Sequence, residues 1–129
     1  MIVLDENILE SQRTQLIARR IHLCQIGHDL ARYGTQDEVI LPILRTLRRP
    51  TFVTWDRDFF DRTLCSHRFC LVYMDVRQTE IAEYTRRLLR HPDFKTWSQR
   101  KGCVLRVAPN GISVWRAHAS RVVRYRWVD

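Results

Sequence analysis

Acidic residues follow three apolar segments of this sequence, and acids placed in this way can act together. Asp5 comes directly after the apolar run 1–4, and Asp56 and Asp75 each follow a β-rich segment. The carboxyl ends of parallel strands meet at one edge of a sheet, which is where open α/β sheets bind their ligands. We therefore expect these carboxylates to share one edge although they are far apart in the sequence.

Two further acids, Asp37 and Glu38, fall in the first turn of the helix predicted before the Asp56 strand. Because a helix that packs on the sheet begins above the same edge, Asp5, Asp37 and Asp56 are expected to converge. Carboxylates in one crevice repel one another and either protonate in part or gather a cation. Oxygen ligands without His or Cys favour Mg²⁺ or Mn²⁺. Such an ion beside arginines can catalyse the hydrolysis of a phosphodiester bond.

Each acid also has a local interpretation that involves no ligand. Asp37 could complement the positive end of its helix. Asp56, Asp58 and Asp75 could end their strands in turns. Asp5 is harder to explain in this way, because an acid directly after a buried strand must find a partner.

The charge balance indicates the class of partner. Lys and Arg together number 22 against 14 Asp and Glu, for a net charge of +8, and only Lys95 and Lys101 are lysines. Guanidinium groups bind phosphates in bidentate geometry, so nucleic acid is the first partner to consider and an acidic protein the second. Trp115, Tyr125 and Trp127 lie among the arginines from residue 100 onward, a pattern that suits single-stranded RNA. The same aromatic residues could instead pack into the core and leave the arginines in solvent.

The length of 129 residues predicts one domain, and 45% hydrophobic with 28% charged residues is ordinary globular composition. No apolar run is long enough to span a membrane, and the start of the sequence lacks signal-peptide features, so we expect a cytoplasmic protein. The four cysteines are then expected to be reduced. Cys65, His67 and Cys70 have no usual zinc-ligand spacing, so we do not expect structural zinc.

Apolar periodicity predicts the elements that must position these side chains. The expected order is strand, helix, strand, helix, strand, strand, helix and hairpin, and this alternation predicts a parallel sheet with helical layers. The helix after the first strand is expected to continue as far as Cys24 and to end at Gly27. Thr35 is expected to cap the next helix, Pro42 to kink it, and Thr79 to cap the last one. The expected elements cover residues 1–4, 9–24, 29–33, 35–47, 51–55, 69–74, 79–90, 104–108 and 112–117, with a polar loop at 57–62.

Four short motifs, which occur along the chain in the order that the family has, resemble those of PIN-like domains. Asp5-Glu6-Asn7 is similar to the Asp-x-Asn that follows their first strand, and residues 37–41 are similar to their acidic helix start. Residues 52–59 resemble their Thr-x-Asp-x-Asp-Phe segment. Gly27-His28-Asp29 resembles the linker of a short PIN-like branch found in bacterial toxin–antitoxin loci. The likeness covers roughly residues 1–76.

This resemblance implies a fold and an activity. The fold is a three-layer PIN-like α/β domain over residues 1–129, with a central, mainly parallel sheet and a basic C-terminal hairpin and tail from about residue 100. The activity is that of a metal-dependent endoribonuclease using Mg²⁺ or Mn²⁺, the toxin of a toxin–antitoxin pair. The implied partners are RNA, an antitoxin protein and a second copy of the chain as a homodimer, with no membrane.

The resemblance also implies roles for individual residues. The metal-binding and catalytic acids would be Asp5, Asp37 and Asp56, supported in the metal site by Glu38 and Asp58. Asn7 would orient Asp5 through a side-chain hydrogen bond. Longer PIN domains carry a further acid that this chain lacks, which Glu6, Glu38 or Asp75 could replace. The arginines expected to hold the RNA backbone are Arg57, Arg62, Arg121, Arg124 and Arg126.

Two other functions fit parts of the same pattern. A catalytically silent PIN-like module that binds nucleic acid or an antitoxin would need the same fold but no metal. A phospho-receiver domain also has acids after its first and third strands, but it needs a lysine at the end of its last parallel strand. Neither Lys95 nor Lys101 has that position.

Overall fold

The computed structural model describes residues 1–30 and 38–128, together with the helical backbone of Asp37. This part of the chain forms a seven-stranded mixed sheet with helices. The strands are β1 (Ile2–Leu4), β2 (Leu23–Gln25), β3 (Thr51–Thr54), β4 (Cys70–Met74), β5 (Cys103–Ala108), β6 (Gly111–Arg116) and β7 (Val123–Tyr125). The helices are α1 (Glu10–Ala18), α2 (Asp37–Arg45), α3 (Ile81–Arg90) and the short α4 (Trp97–Arg100).

The strand order in the sheet is β2-β1-β3-β4-β5-β6-β7. β1 to β5 run parallel, whereas β6 pairs antiparallel with β5 and β7 pairs antiparallel with β6. The parallel part has the order of flavodoxin-like doubly wound sheets, in which the crossovers change direction between β1 and β3. The gap between the carboxyl ends of these two strands is therefore where such a sheet binds a ligand.

Helices cover both faces of the sheet, which explains why its central strands are apolar on both sides. On one face, Leu4 and Val72 share a buried cluster with residues of α1 and α3. On the other face, Val3 and Phe52 share a buried cluster with residues of α2. Side chains alternate between the faces along each strand, so every second residue belongs to the same cluster.

The predicted alternation of strands and helices is present from β1 to α3, but α4 and β7 were not predicted and the first helix ends earlier than expected. α1 ends at Ala18, and Leu23–Gln25 is a strand parallel to β1 instead of the end of that helix. Arg20 takes the left-handed conformation with φ 62°, which breaks the helix. Leu23 and Cys24 then pack against opposite clusters, which is the alternation of a strand. The strand predicted at 29–33 is reduced, within the described residues, to one bridge between Ile26 and Leu30.

The other predicted boundaries of helices and loops differ less from those in the structure. The segment expected to be a polar loop contains 3₁₀ turns at Arg57–Phe59 and Arg62–Leu64. A 3₁₀ turn at Gln78–Glu80 precedes α3, so Thr79 does not cap that helix. Pro42 lies inside α2, whereas the expected cap at Thr35 lies outside the described residues. No helix in the described part of the chain has the length and apolar composition needed to span a membrane.

Candidate functional site

Asp5 lies at the end of β1, beside the end of β3, and is only 4% exposed. Its amide donates to the carbonyl of Val53 at 2.9 Å and so continues the pairing of the two strands. Its carboxylate accepts hydrogen bonds from the Thr54 hydroxyl at 2.6 Å and from the Glu6 amide at 2.8 Å. The side chain is therefore held in one orientation at the point where the crossovers of the sheet change direction.

Asp56 is hydrogen-bonded to the same Thr54 hydroxyl group. The Thr54 hydroxyl accepts a hydrogen bond from the Asp56 amide at 3.0 Å while it donates to Asp5. The Asp56 carboxylate accepts the amide of Asp58 at 3.0 Å and so begins the 3₁₀ turn at Arg57–Phe59. One buried threonine thus sets the positions of two acids that are far apart in the sequence.

The electrostatics of Asp5 favour a positive partner. Burial raises the pKa of the Asp5 carboxyl, and the negative charges of Glu6 and Asp56 raise it further. The hydrogen bonds from Thr54 and the Glu6 amide oppose this rise. A cation near the two carboxylates would lower the cost of keeping Asp5 ionised.

The start of α2 lies on the same face of the sheet. Asp5 and Thr54 follow Val3 and Phe52 by two residues, which places them on the side that α2 covers. α2 begins at Asp37, as the convergence of Asp5, Asp37 and Asp56 requires, but the side chain of Asp37 lies outside the described residues. That convergence therefore stays a prediction.

Glu38 and Asp58 both line one groove, which Asp5 and Asp56 do not line. The groove has a volume of about 530 Å³ and lies between α2 and the turns that follow β3. Its residues are Glu38, Leu41, Pro42, Arg45, Asp58, Phe59 and Leu64. Both acids are exposed, and an apolar surface makes up much of the space around them.

The donor atoms of this site are carboxylate oxygens, which suit a hard divalent cation. The described carboxylates at the switch point, Asp5 and Asp56, supply the oxygen donors that Mg²⁺ and Mn²⁺ prefer. Among residues 1–30 and 38–128, no group of three or more acid, histidine or cysteine side chains is arranged to hold a metal ion. The third acid of the predicted set, Asp37, has its side chain outside these residues.

The structure gives the settings of two supporting residues, Asn7 and Asp75. The Asn7 side chain is exposed, and the bonds that orient Asp5 come from Thr54 and the Glu6 amide. Thr54 is the threonine of the Thr-x-Asp-x-Asp-Phe segment, so the motif itself carried the signal that sequence reasoning missed. Asp75 pairs with Arg106, whose Nε donates to it at 2.9 Å.

Gln25 is a second residue that sequence reasoning missed. Its buried side-chain amide donates to the carbonyls of Asp5 at 3.0 Å and Ile8 at 3.1 Å. These bonds tie the chain that leaves β1 to the end of β2. The apolar pattern had placed the neighbouring Cys24 at the end of a helix, which left no reason to expect a buried amide at the next residue.

The predicted arginines lie in different settings. Arg57 shares a pocket with Tyr73, Asp75 and Arg106. The Arg62 guanidinium lies 5.6 Å from the centre of the Trp115 ring. The three tail residues Arg121, Arg124 and Arg126 are exposed, and Arg124 belongs to β7.

The aromatic residues of the C-terminal region pack inward. Trp115 lies against the cluster on the α2 face, and Tyr125 and Trp127 lie against the cluster on the opposite face. Of the two interpretations of these rings, the structure therefore supports core packing.

Comparisons of this chain with protein-family models, with curated proteins and with solved structures returned no match.

Proposed function

We propose that this chain is a short PIN-like domain whose C-terminal strands form a hairpin, and that it is a metal-dependent endoribonuclease, the toxin of a toxin–antitoxin pair. The observation that carries the proposal is the Thr54 hydroxyl, which bonds both the buried Asp5 carboxylate and the Asp56 amide at the switch point. The net charge of +8 supports a phosphate-bearing substrate. An antitoxin protein and a homodimer are parts of the same proposal.

The proposed roles of the acids follow from their positions. Asp5, Asp37 and Asp56 would hold Mg²⁺ or Mn²⁺, with Glu38 and Asp58 nearby in the groove. Lewis-acid activation of water and of the scissile phosphate is the chemistry that a bound divalent cation supplies. Thr54 and the Glu6 amide fix the direction of the Asp5 carboxylate, so this carboxylate would be in position to bind the metal before the substrate arrives.

Cleavage of a labelled single-stranded RNA tests this function. We expect cleavage in Mn²⁺ or Mg²⁺, no cleavage in EDTA, and a loss of at least about 100-fold in Asp5→Asn and in Asp56→Asn, because each removes a charged ligand. Asp93→Asn is the matched control, since Asp93 is exposed and lies in the turn after α3. Equal cleavage in EDTA, or an equal loss in Asp93→Asn, contradicts the proposal.

The net charge of +8 also fits a catalytically silent module that binds nucleic acid or an antitoxin. Calorimetric titration with Mn²⁺ separates the two functions. Measurable affinity that Asp37→Asn removes supports the nuclease. Retained RNA binding without Mn²⁺ affinity supports the silent module.

A phospho-receiver function has the strand order in its favour. However, Lys101 precedes β5 and lies at the opposite end of that strand from Asp56 and Asp75. The lysine that should pair with a phosphoryl group is therefore not at the carboxyl end. Labelling with a small phosphodonor would test this function directly.

A further inference from the structure

A continuous row of polar side chains crosses the sheet from the buried acid to the last strand. The register pairs Thr54 with Tyr73, Tyr73 with Arg106, Arg106 with Ser113, and Ser113 with Arg124. Paired residues of neighbouring strands point to the same face, so these side chains lie side by side. Asp5 extends the row at its acidic end through its bond to Thr54.

The polar row differs from the neighbouring row on the same face, which lies two residues away along each strand. That neighbouring row is apolar: Val3, Phe52, Leu71 and Val104 are buried, and Trp115 is half-buried. The polar row instead has open space beside it. Pockets of about 410 Å³ and about 340 Å³ lie on either side of Arg106.

The charges along the row favour an anion. Arg57 lies in the first pocket and Arg124 in the second, and both side chains are exposed. Arg106 lines both pockets and is paired with Asp75. Along these two pockets, the positive charges of three guanidinium groups therefore exceed the negative charge of the Asp75 carboxylate.

Resting on the proposed function, we propose that the row Tyr73–Arg106–Ser113–Arg124, with Arg57 beside it, binds the backbone of single-stranded RNA and leads it to the acids at Asp5 and Asp56. From β3 to β7 there are four inter-strand steps, which span about 19 Å at about 4.8 Å each. This length accommodates several nucleotides.

The chemistry of the row fits RNA better than an acidic protein segment. Guanidinium groups spaced along an open surface match phosphates spaced along a strand. Phe60 and Tyr73 are half-buried in the first pocket, where an unpaired base can stack on an aromatic ring. Polar surface makes up most of the two pockets that Arg106 lines, in contrast to the largely apolar groove between α2 and the turns after β3.

Fluorescence anisotropy of a labelled single-stranded RNA in EDTA tests this surface while cleavage is stopped. The test variants are Arg57→Gln, Arg124→Gln and the double variant. Both residues are exposed, so circular dichroism is expected to show unchanged folding. Arg90→Gln is the matched control, because Arg90 is exposed at the end of α3, on the opposite face of the sheet.

We expect the double variant to bind at least about tenfold more weakly, with the salt dependence of log affinity reduced by about 0.7 for each lost phosphate contact. Arg90→Gln should bind like the wild type. An equal loss in Arg90→Gln overturns the proposal, because the attraction would then come from net charge alone. Binding of polyglutamate but not of RNA, with the same dependence on Arg57 and Arg124, would assign the surface to an acidic protein and overturn it as well.

The same variants separate this inference from the proposed nuclease. If RNA cleavage is present but the affinity and salt slope are unchanged in the double variant, the binding surface is wrong and the nuclease stands. If RNA binds through Arg57 and Arg124 but is never cleaved in Mn²⁺, the nuclease is wrong and the binding surface stands. Asp5→Asn is expected to retain binding and to lose cleavage.

Discussion

The polar row that crosses the sheet holds opposite charges at its two ends, and the two ends differ in how far they are buried. At β1 and β3, Asp5 is 4% exposed and is held by hydrogen bonds from Thr54 and the Glu6 amide. At β6 and β7, Arg124 is exposed to solvent. The buried acid is costly to ionise, whereas the exposed arginine keeps its contact with water and is screened by salt.

The difference follows from how the strands are covered. The parallel strands β1 and β3 lie between two helical layers, so a polar side chain at their ends is removed from water. The antiparallel strands β6 and β7 extend the sheet at its edge, where side chains on one face keep access to water. A buried acid suits a fixed catalytic geometry, and exposed cations suit a surface that attracts a long polyanion.

The largest stability difference between the two ends is expected from removing a hydroxyl group at each. Thr54→Val keeps the shape of the side chain but leaves the Asp5 carboxylate and the Asp56 amide without a shared partner. We expect the free energy of unfolding to fall by about 1–3 kcal/mol, together with a loss of RNA cleavage. Urea denaturation measures the first effect.

Ser113→Ala is the control at the other end of the row. Ser113 is half-buried between Arg106 and Arg124, and its removal should change the free energy of unfolding by no more than about 0.5 kcal/mol. If Thr54→Val is as mild as Ser113→Ala, the buried threonine does not organise the acids.

A pH titration of stability sharpens the same comparison. Burial raises the pKa of Asp5 in the folded protein above its ordinary value of 3.8. Between the ordinary and the raised value the folded state binds more protons than the unfolded state, so Asp5 costs stability as the pH rises through this window. Each unit of that rise corresponds to about 1.4 kcal/mol at neutral pH.

Asp5→Asn removes this cost. Relative to the wild type, its free energy of unfolding should therefore increase from below pH 3.8 to pH 7, measured by urea denaturation in EDTA. Asp61→Asn is a control of opposite sign, because the Thr63 hydroxyl and amide lower the pKa of Asp61. A flat difference for Asp5→Asn would mean that the carboxylate already has a compensating charge.

The sequence was most informative where one residue type has one physical meaning. An apolar or β-rich run followed by an aspartate correctly predicted β1, β3 and β4, because strands buried on both sides have that composition. It was least informative where two periodicities overlap, as at Leu23–Gln25, where the spacing of apolar residues continued that of α1. The left-handed Arg20 that separates these two elements has no signature in residue type.

The candidate site was predictable in part for the same reason. Strand ends gave the edge on which Asp5 and Asp56 lie, since parallel strands share their carboxyl ends. The alignment of Arg106 with Tyr73 and Ser113 depends on the register between strands, and register is set by packing across the whole sheet. No short motif in the sequence encodes it.

A small effect is also expected at Asp75, which lies directly after β4, between the two ends of the row. Its side chain is 42% exposed and that of Arg106 is 34% exposed, so solvent screens the ion pair and Asp75→Asn should cost at most about 1 kcal/mol of stability. The change also removes a negative charge beside Arg57 and Arg106. Affinity for single-stranded RNA should therefore rise about threefold, with unchanged cleavage at saturating RNA.

The cleavage rate decides between two roles for this carboxylate. If Asp75 supplies the acid that longer PIN domains carry, kcat in Mn²⁺ should fall more than about tenfold in Asp75→Asn, even though RNA binds more tightly. If Asp75 only restrains Arg106, kcat should stay constant and the whole effect should appear in the affinity measured in EDTA. Asp93→Asn, which removes an exposed charge after α3, should change neither quantity. We expect the second result, because the Asp75 carboxylate is paired with Arg106 of β5 and its other described side-chain partner is Tyr73 of β4.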